Sequence, residues 1–436
     1  MTLRLTDNPP ELLLPKGVKD LLPAKAAKLE YLDATLRAVY ARWGCRPLIL
    51  PGLEFYDMLE KGMGDGLSGK TFRFDDRQSG QLLAIPPDIT PQVARVVATR
   101  MRDLPLPLKF CYRGRVLRHA EQQLGKDREI YQSGVELFGL ETPEADAEMI
   151  AMAIEGLQAV GAKDFTVDIG HAEFLRGALE PLADQPALTR EVATAIVQKD
   201  STSLQRLLEG AALTDAVRGE ILALPKLFGG RDVIARARTL VANPRSLRAL
   251  ETLERVLAIL DVFEVGDHVS IDLGEVRTLN YHTGVIYQGF MAGMGQAVLQ
   301  GGRYDNLTAA YGQPMPATGF TFNLLDLLAA LDRTLDARID GAVDVLIFAE
   351  GADKRPAQRA ARTLRQRGYS AARDMIVRGL PATLEYARRM NYRYVLVIAA
   401  SGVDARLIGS ADGSERNLTL DALGAPEFSL PSPERG

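Results

Sequence analysis

The sequence predicts an α+β fold, in which helices flank an antiparallel sheet, with a helical insertion and a C-terminal α/β domain. Three observations predict it. Strand-like runs recur between helical patterns in the first 170 residues, only helical patterns occur between about 171 and 265, and strands alternate with helices after 343. We therefore expect a core over residues 1–335, an α/β domain over 343–424 and a loose tail over 425–436.

The core opens with a predicted helix. Leu29, Leu32, Leu36 and Val39 recur at helical spacing and predict a helix from about Pro23 to Trp43. The later core elements, in chain order, are strands at 48–50, 82–85, 108–112 and 134–138, a helix at 144–160, strands within 268–287 and at 297–302, and a helix near 323–333.

The C-terminal region alternates between the two kinds of element. Strands are predicted at 345–349, 368–372 and 394–399, with helices at 355–367 and 380–389. Such alternation favours a parallel or mixed α/β sheet. The final segment is rich in Pro and Ser, which is typical of a loose chain end.

Composition is that of a globular protein. The chain has 436 residues, of which 47% are hydrophobic and 25% charged, enough for two or three domains. No run approaches the roughly 18 apolar residues of a membrane span, and the first 20 residues lack the apolar core of a signal peptide. We expect a cytoplasmic protein that does not associate with membranes.

Cysteine usage and charge exclude other classes. Cys45 and Cys111 are far apart, and only four histidines are present, so we expect two buried apolar cysteines and no metal or redox centre. The net charge of −4 argues against a protein that mainly holds nucleic acid, although a local basic patch would escape this argument.

The first polar segment within a predicted buried region is 87–91, Pro-Asp-Ile-Thr-Pro. Asp88 and Thr90 place a carboxylate and a hydroxyl beside rigid prolines, which suits a binding site. The same residues are helix-start signals and would equally serve as caps for a helix at 92–100. Spacing alone leaves both interpretations open.

The second segment surrounds a predicted turn and is rich in arginine. Arg113, Arg115, Arg118 and Arg128 form a plausible anion site, because guanidinium groups match carboxylate and phosphate geometry. The alternative is a solvated hairpin face with ion pairs to Glu121 and Glu129. His119 alone is more often structural than catalytic.

The third segment joins 277–284 to 301–305. Gly301 and Gly302 precede an arginine and indicate a close approach of the backbone to a ligand or another segment, or a plain bulge. The sequence has no Walker loop, no GxGxxG after a strand, no GxSxG elbow and no HExxH. The common enzyme signatures are therefore absent.

These segments resemble the histidyl-tRNA synthetases, class II enzymes, in the right order over nearly the whole chain. The opening at 15–23 is similar to theirs, and the first helix and strand with Pro51 resemble motif 1, which forms the dimer interface. Tyr112 to Glu136 resembles motif 2, and Gly319 to Leu328 resembles motif 3. The regions around Arg277 and Gly301 resemble the two histidine motifs, and the C-terminal domain resembles the anticodon-binding domain.

The resemblance implies a histidine site with retained chemistry. Its residues are carboxylates, hydroxyls, amides and cations that match the family's histidine-binding positions: Asp88, Thr90, Arg118, Gln132, Glu136, Arg277, Tyr281, His282 and Tyr304. His282 stands where the family has a tyrosine, so its role departs from the family pattern.

The nucleotide site, by contrast, has departed from the family at four positions. Asp326 replaces the arginine late in motif 3 and would repel a triphosphate. Ile130 replaces the phenylalanine that stacks on adenine, Ala120 the adenine-recognising glutamate, and Lys126 a phosphate-side arginine. The resemblance therefore implies lost adenylation, no catalytic residue and no cofactor.

This combination is similar to a paralogous family, the regulatory subunits of ATP phosphoribosyltransferase. The resemblance implies a short-form catalytic subunit as partner, a homodimer through motif 1 within a hetero-oligomer, and histidine as effector. Many members end after the core, whereas this chain keeps the extension, whose segment 354–393 is strongly basic. A divergent active synthetase and an RNA-binding sensor remain alternatives; the basic segment is otherwise a solvated face.

Overall fold

The computed structural model describes residues 14–119, 127–274, 282–336, 338–339 and 341–431. The chain forms two compact units, Met1–Thr334 and Leu335–Gly436. The division lies within one residue of the predicted end of the core. The elements confirm the predicted α+β fold class.

The first unit contains helices and strands in mixed order. They are α1 (Pro23–Arg42), β1 (Arg46–Leu48), β2 (Glu54–Phe55), α2 (Tyr56–Glu60), α3 (Asp65–Ser68), β3 (Arg73–Asp75), β4 (Leu82–Ala84), α4 (Thr90–Arg100), β5 (Leu108–Leu117), β6 (Glu129–Phe138), α5 (Pro143–Val160), β7 (Phe165–His171), α6 (Ala172–Leu179), α7 (Pro186–Val197), α8 (Ser201–Glu209), α9 (Asp215–Ala223), β8 (Phe228–Gly229), α10 (Asp232–Leu240), α11 (Pro244–Val262), β9 (Val269–Asp272), β10 (Val285–Met291), β11 (Leu299–Arg303), β12 (Ala317–Asn323) and α12 (Leu324–Asp336).

A nine-stranded sheet organises this unit, in the order β1-β5-β6-β12-β11-β10-β7-β9-β8. The six strands from β5 to β7 in that order pair antiparallel, whereas β1 pairs parallel with β5 and β9 with β7. One register matters for the site: Glu136 on β6 lies opposite Gly319 on β12, and Gly319 lies opposite Gly302 on β11. Because side chains alternate along a strand, these positions share one face of the sheet.

Two details differ from the sequence-based expectation in this unit. The first strand spans Arg46–Leu48, two residues earlier than predicted, and Ile49 after it is 94% exposed. The insertion, predicted as helices only, includes the two-residue strand Phe228–Gly229, which pairs with β9. Such short pairing carries too little hydrophobic pattern to be predicted.

The second unit is a mixed α/β domain. Its elements are β13 (Val343–Ala349), α13 (Arg355–Gln366), β14 (Ala371–Arg373), α14 (Leu380–Arg389), β15 (Tyr392–Ile398), β16 (Asp404–Gly409) and β17 (Glu415–Thr419). The sheet order is β14-β13-β15-β16-β17; the first three strands are parallel and the last two antiparallel. The mixed sheet agrees with the prediction, but β16 and β17 were not predicted.

The chain after 425 is not loose as far as the structure describes it. Phe428 is 5% exposed and belongs to the core of the second unit. Arg367 donates hydrogen bonds to the carbonyl oxygens of Ala425 and Phe428, and the Tyr394 hydroxyl donates to that of Pro431 at 2.8 Å. The expectation of a loose tail is wrong up to Pro431, because these long-range contacts fix it; 432–436 lie outside the described residues.

No helix in the described part of the chain is both long and apolar enough to cross a membrane.

Candidate functional site: a polar cavity on the central sheet

A cavity of about 350 Å³ lies in the first unit, at the low end of the roughly 300 to 1,000 Å³ typical of small-molecule sites. Strands β6, β11 and β12 form its floor, and the start of α4, the residue after β5 and the segment around α3 form its walls. We call it the ligand cavity. Seven of the nine predicted histidine-binding residues line it: Asp88, Thr90, Arg118, Gln132, Glu136, His282 and Tyr304. Arg277 and Tyr281 lie outside the described residues.

The carboxylate of Glu136 is the most enclosed charged group of the ligand cavity, with 1% of the residue exposed. It accepts hydrogen bonds from the hydroxyls of Thr90 at 2.7 Å and Tyr112 at 3.2 Å, and from that of Tyr304. Burial raises the pKa of Glu136 to about 8, against the lowering effect of these donors. The side chain therefore holds a proton near neutral pH, and a cationic group beside it would favour the ionised carboxylate.

Gly319 makes room for this carboxylate. A Cβ at residue 319 would overlap Oε2 of Glu136 and the carbonyl oxygen of Val135. Only a residue without a side chain fits between the two strands here. The glycine of the predicted motif 3 therefore has a steric reason that sequence alone does not reveal.

A second polar cluster lies at the entrance to α4. Gln132 Nε2 donates to Asp88 Oδ1 at 2.9 Å, and Gln132 Oε1 accepts from the Ile89 amide at 3.2 Å. Arg118 Nε donates to the Pro87 carbonyl at 2.6 Å, while its Nη2 lies 3.7 Å from Asp88 Oδ1. Asp88 and Gln132 are 6% and 3% exposed. This cluster thus adds a second buried acid, Asp88, and the cation Arg118 to the cavity.

The alternative that Asp88 and Thr90 cap the helix is not supported. Within the described residues no side chain caps the start of α4, whose N-cap is Ile89. The Thr90 hydroxyl bonds to Glu136 instead, and the carboxylate of Asp88 bonds to Gln132. Both side chains are therefore turned towards the ligand cavity.

The four arginines of the hairpin divide between the two interpretations. Arg113 pairs with Glu30 and Asp33, and Arg115 pairs with Glu129 at 2.9 Å. These two form the ion-paired surface face, with Glu129 as predicted and Glu121 outside the described residues. Of the four, only Arg118 lines the cavity.

Gly301 and Gly302, which precede Arg303, lie so close to neighbouring side chains that a Cβ would not fit. A Cβ at Gly301 would overlap the ring of Tyr287, and one at Gly302 would lie 2.6 Å from a ring carbon of His282. Arg303 itself is 6% exposed and turns to the other side of the sheet, where its Nε donates to Asp146 Oδ2 at 2.9 Å. Arg303 is a structural residue behind the cavity.

At the predicted nucleotide position lies a partly exposed polar cluster. Asp326, in the first turn of α12, accepts hydrogen bonds from the side-chain amides of Gln296 and Asn323. Burial raises the pKa of this carboxyl. Ile130 packs partly buried against the core beside α4 and offers no aromatic face. Ala120 and Lys126 lie outside the described residues.

The sequence did not single out several residues that the cavity uses. Lys70, Gln300 and Thr321 line it, and Tyr112 donates to Glu136 from the neighbouring strand. Tyr112 begins the segment already noted for its arginines and lies on a predicted strand. Its place on that strand was therefore a usable signal that its side chain could face the site. Lys70 carried none, because the packing of the segment around α3 over the sheet is a tertiary event.

The cysteines and histidines form no metal centre in the described part of the chain. Cys45 and Cys111 are both buried, and burial raises the pKa of each thiol, that of Cys45 to about 12. A thiol with such a pKa stays protonated and unreactive at neutral pH. His119 stacks on Phe72 with ring centroids 3.8 Å apart, in agreement with a structural role.

The basic segment of the second unit is largely engaged within its own unit. Arg367 binds backbone carbonyls of the chain end, Arg388 binds that of Ser410, and Arg393 pairs with Asp344. Arg378 pairs with Asp374 and lies over the ring of Tyr386 at 4.1 Å. Much of this charge therefore stabilises the domain.

Comparison with known proteins identifies the relatives of this chain. A family model described as histidyl-tRNA synthetase matches residues 17–327. A protein described as ATP phosphoribosyltransferase regulatory subunit, from Syntrophotalea carbinolica, is 57% identical over 97% of this chain and 98% of its own length. One of the same description from Geobacter sulfurreducens is 50% identical over 97% of each chain.

Solved structures agree with these relatives. The structure described as an ATP phosphoribosyltransferase regulatory subunit/histidyl-tRNA synthetase from Bacillus halodurans aligns with a TM-score of 0.80 at 27% identity, covering 90% of this chain and 100% of that one. A histidyl-tRNA synthetase from Nostoc has a TM-score of 0.79 at 23% identity, covers 94% of this chain and 97% of that one, and supports the fold alone. The chain belongs to the histidyl-tRNA synthetase-like family and, within it, to the ATP phosphoribosyltransferase regulatory subunits.

Proposed function

We propose that the chain acts in histidine biosynthesis as a subunit without catalysis of its own, together with a short-form ATP phosphoribosyltransferase catalytic subunit in the cytoplasm. Histidine binds in the ligand cavity as the effector and shifts the partner towards a less active conformation. Such coupling is reciprocal: histidine binding to this chain also changes its affinity for the active partner. The relatives' description as regulatory subunits supports this division of labour.

One observation carries the proposal: the contrast between the ligand cavity and the nucleotide position. The cavity presents two buried acids, hydroxyls, an amide and Arg118, which suit a ligand with ammonium, imidazole and carboxylate groups. At the nucleotide position Asp326 is an acid bound by two amides of its own chain. A carboxylate there opposes a polyphosphate, whose binding needs positive charge.

Calorimetric titration tests the proposal directly. We expect heat from histidine and none from ATP with the isolated chain. Glu136→Ala removes the carboxylate and should lower histidine affinity roughly tenfold or more, while Glu129→Ala, on the ion-paired face of the same strand, should not. An absence of histidine heat with the folded wild-type chain would refute effector binding in this cavity.

The two alternatives give different results. An active synthetase would exchange pyrophosphate into ATP in the presence of histidine, and we expect no exchange. An RNA-binding sensor would bind tRNA with a steep salt dependence that is lost when residues from Val343 onward are deleted. The engagement of Arg367, Arg388 and Arg393 within their own unit argues against this second alternative.

We also propose a homodimer through the region around β1. Ile49, Leu53 and Phe55 are 94%, 47% and 44% exposed, an unusual concentration of uncovered apolar side chains. Ile49→Asp should shift the chain towards the monomer in sedimentation equilibrium. Val262→Asp is the matched control, since Val262 is 82% exposed on α11. Equal dissociation by both variants would contradict this interface.

A further inference from the structure

A second cation lies on the wall of the ligand cavity. Lys70 follows α3 and lines the cavity together with Gly66 and Leu67. Its carbonyl oxygen accepts a hydrogen bond from the His119 amide at 2.8 Å, and the His119 ring stacks on Phe72. These two contacts hold the Lys70 backbone beside the residue that follows Arg118. The backbone of Lys70 is therefore held at the wall of the cavity.

Arg118 is the other described cation of the cavity, and it already has partners. Its Nε donates to the Pro87 carbonyl, and its Nη2 faces Asp88 at 3.7 Å. Lys70, by contrast, has no ion pair or side-chain hydrogen bond within the described residues. Its ammonium group has three donors and no internal acceptor there. An anionic group of a bound ligand would supply that acceptor.

We infer that Lys70 binds the carboxylate of the amino acid in the ligand cavity and so selects the free zwitterion over analogues with a neutral carboxyl group. This inference rests on the proposed binding of histidine. The buried acids Asp88 and Glu136 serve the ligand's cationic and donor groups, and Lys70 serves its anionic end. Converting the carboxylate into an amide or an ester removes the charge that Lys70 recognises.

The selection has a consequence for regulation. A cavity that recognises the carboxylate responds to the concentration of the free amino acid and binds carboxyl-modified forms weakly.

Histidinamide is the matched probe, because it keeps the imidazole and the amine and replaces only the carboxylate. Lys70→Met removes the charge at similar length, and Lys70→Arg keeps the charge. Lys61→Met is the control, since Lys61 is the residue after α2 and does not line the cavity.

The test measures the affinities of histidine and histidinamide by calorimetry for the full chain and these variants. We expect the wild-type chain and Lys61→Met to prefer histidine by roughly tenfold or more. Lys70→Met should lose most of this preference through weaker histidine binding, with histidinamide binding unchanged. Lys70→Arg should restore it. Thermal unfolding of each variant checks the fold, which an exposed lysine should not disturb.

The outcomes separate this inference from the proposed function. If the wild-type chain binds histidine, Glu136→Ala weakens that binding and Lys70→Met leaves the preference intact, then Lys70 does not contact the carboxylate and the inference is wrong. If Lys70→Met weakens both ligands equally, Lys70 does not distinguish the carboxyl group and the inference is also wrong. If the wild-type chain binds neither ligand, the proposed function fails and the inference with it.

Discussion

Two carboxylates of the first unit, Glu136 in the ligand cavity and Asp326 at the nucleotide position, differ in their surroundings. Burial raises the pKa of both. Glu136 accepts from hydroxyls whose residues line or face an open cavity, whereas Asp326 accepts from the side-chain amides of Gln296 and Asn323 in a partly exposed local cluster. A raised pKa alone therefore does not mark a ligand site. The cavity, with acceptors and donors left for a ligand, makes the difference.

The largest effect is expected behind the cavity. Arg303→Met leaves the carboxylate of Asp146, which is 2% exposed, without its cation. Removing one partner of a buried pair costs about 3 to 5 kcal/mol. Thermal and urea unfolding should show this loss, together with weaker histidine binding because Tyr304 follows directly. Arg355→Met removes an exposed pair with Asp353 and should change neither; equal losses would contradict the assigned structural role.

The pH dependence of stability should report the protonation of Glu136. The folded pKa of Glu136, about 8, lies above its ordinary value of 4.5, so this group's contribution is fully present below about pH 4.5 and is lost as pH rises through about 8. The loss is on the order of a few kcal/mol. Glu136→Gln should flatten the unfolding free energy between pH 5 and 8, as measured by urea titration. A wild-type curve that is already flat would contradict a protonated Glu136.

Gly319→Ala tests whether the carboxylate of Glu136 needs the space that the glycine leaves. The added Cβ overlaps Glu136 Oε2 and the Val135 carbonyl, so the strand or the carboxylate must move. We expect a loss of about 1 to 3 kcal/mol in unfolding free energy and the loss of histidine heat. Gly219→Ala, inside α9 with open space around it, should stabilise slightly instead. Normal histidine binding by the Gly319 variant would break the assignment of Glu136.

The smallest effect is expected at the nucleotide position. Asp326→Arg reverses the charge but puts new donors against the amides of Gln296 and Asn323, which should cost about 1 kcal/mol. We expect no ATP heat from this variant, because Ile130 still offers no ring to adenine. Robust ATP binding by the single variant would show that the nucleotide site is blocked by one charge only.

Sequence reasoning reached much of the fold because the long elements carry clear patterns. The helix at α1 was predicted to within one residue of its end, since its buried leucines repeat at helical spacing. The strands β16 and β17 were missed; β17 has the sequence ERNLT and is almost entirely exposed, so it lacks the apolar alternation of a half-buried strand. Its pairing comes from its neighbour, which local sequence does not encode.

Part of the candidate site was predicted from the sequence, and part of it was not. Asp88, Gln132 and Glu136 could be grouped because their segments resemble family motifs, and the structure brings them to one cavity. Whether they bind histidine stays a prediction. The role of Lys70 and the hydrogen bond from Arg367 to the Phe428 carbonyl could not be predicted, because both depend on contacts between segments distant in sequence.

Crystals of the chain soaked with histidine and, separately, with an adenine nucleotide test the central claim most directly. We predict histidine in the ligand cavity within hydrogen-bonding distance of Glu136, and no nucleotide beside Asp326. An adenine nucleotide bound there, with its phosphates directed towards the cavity, would contradict the account.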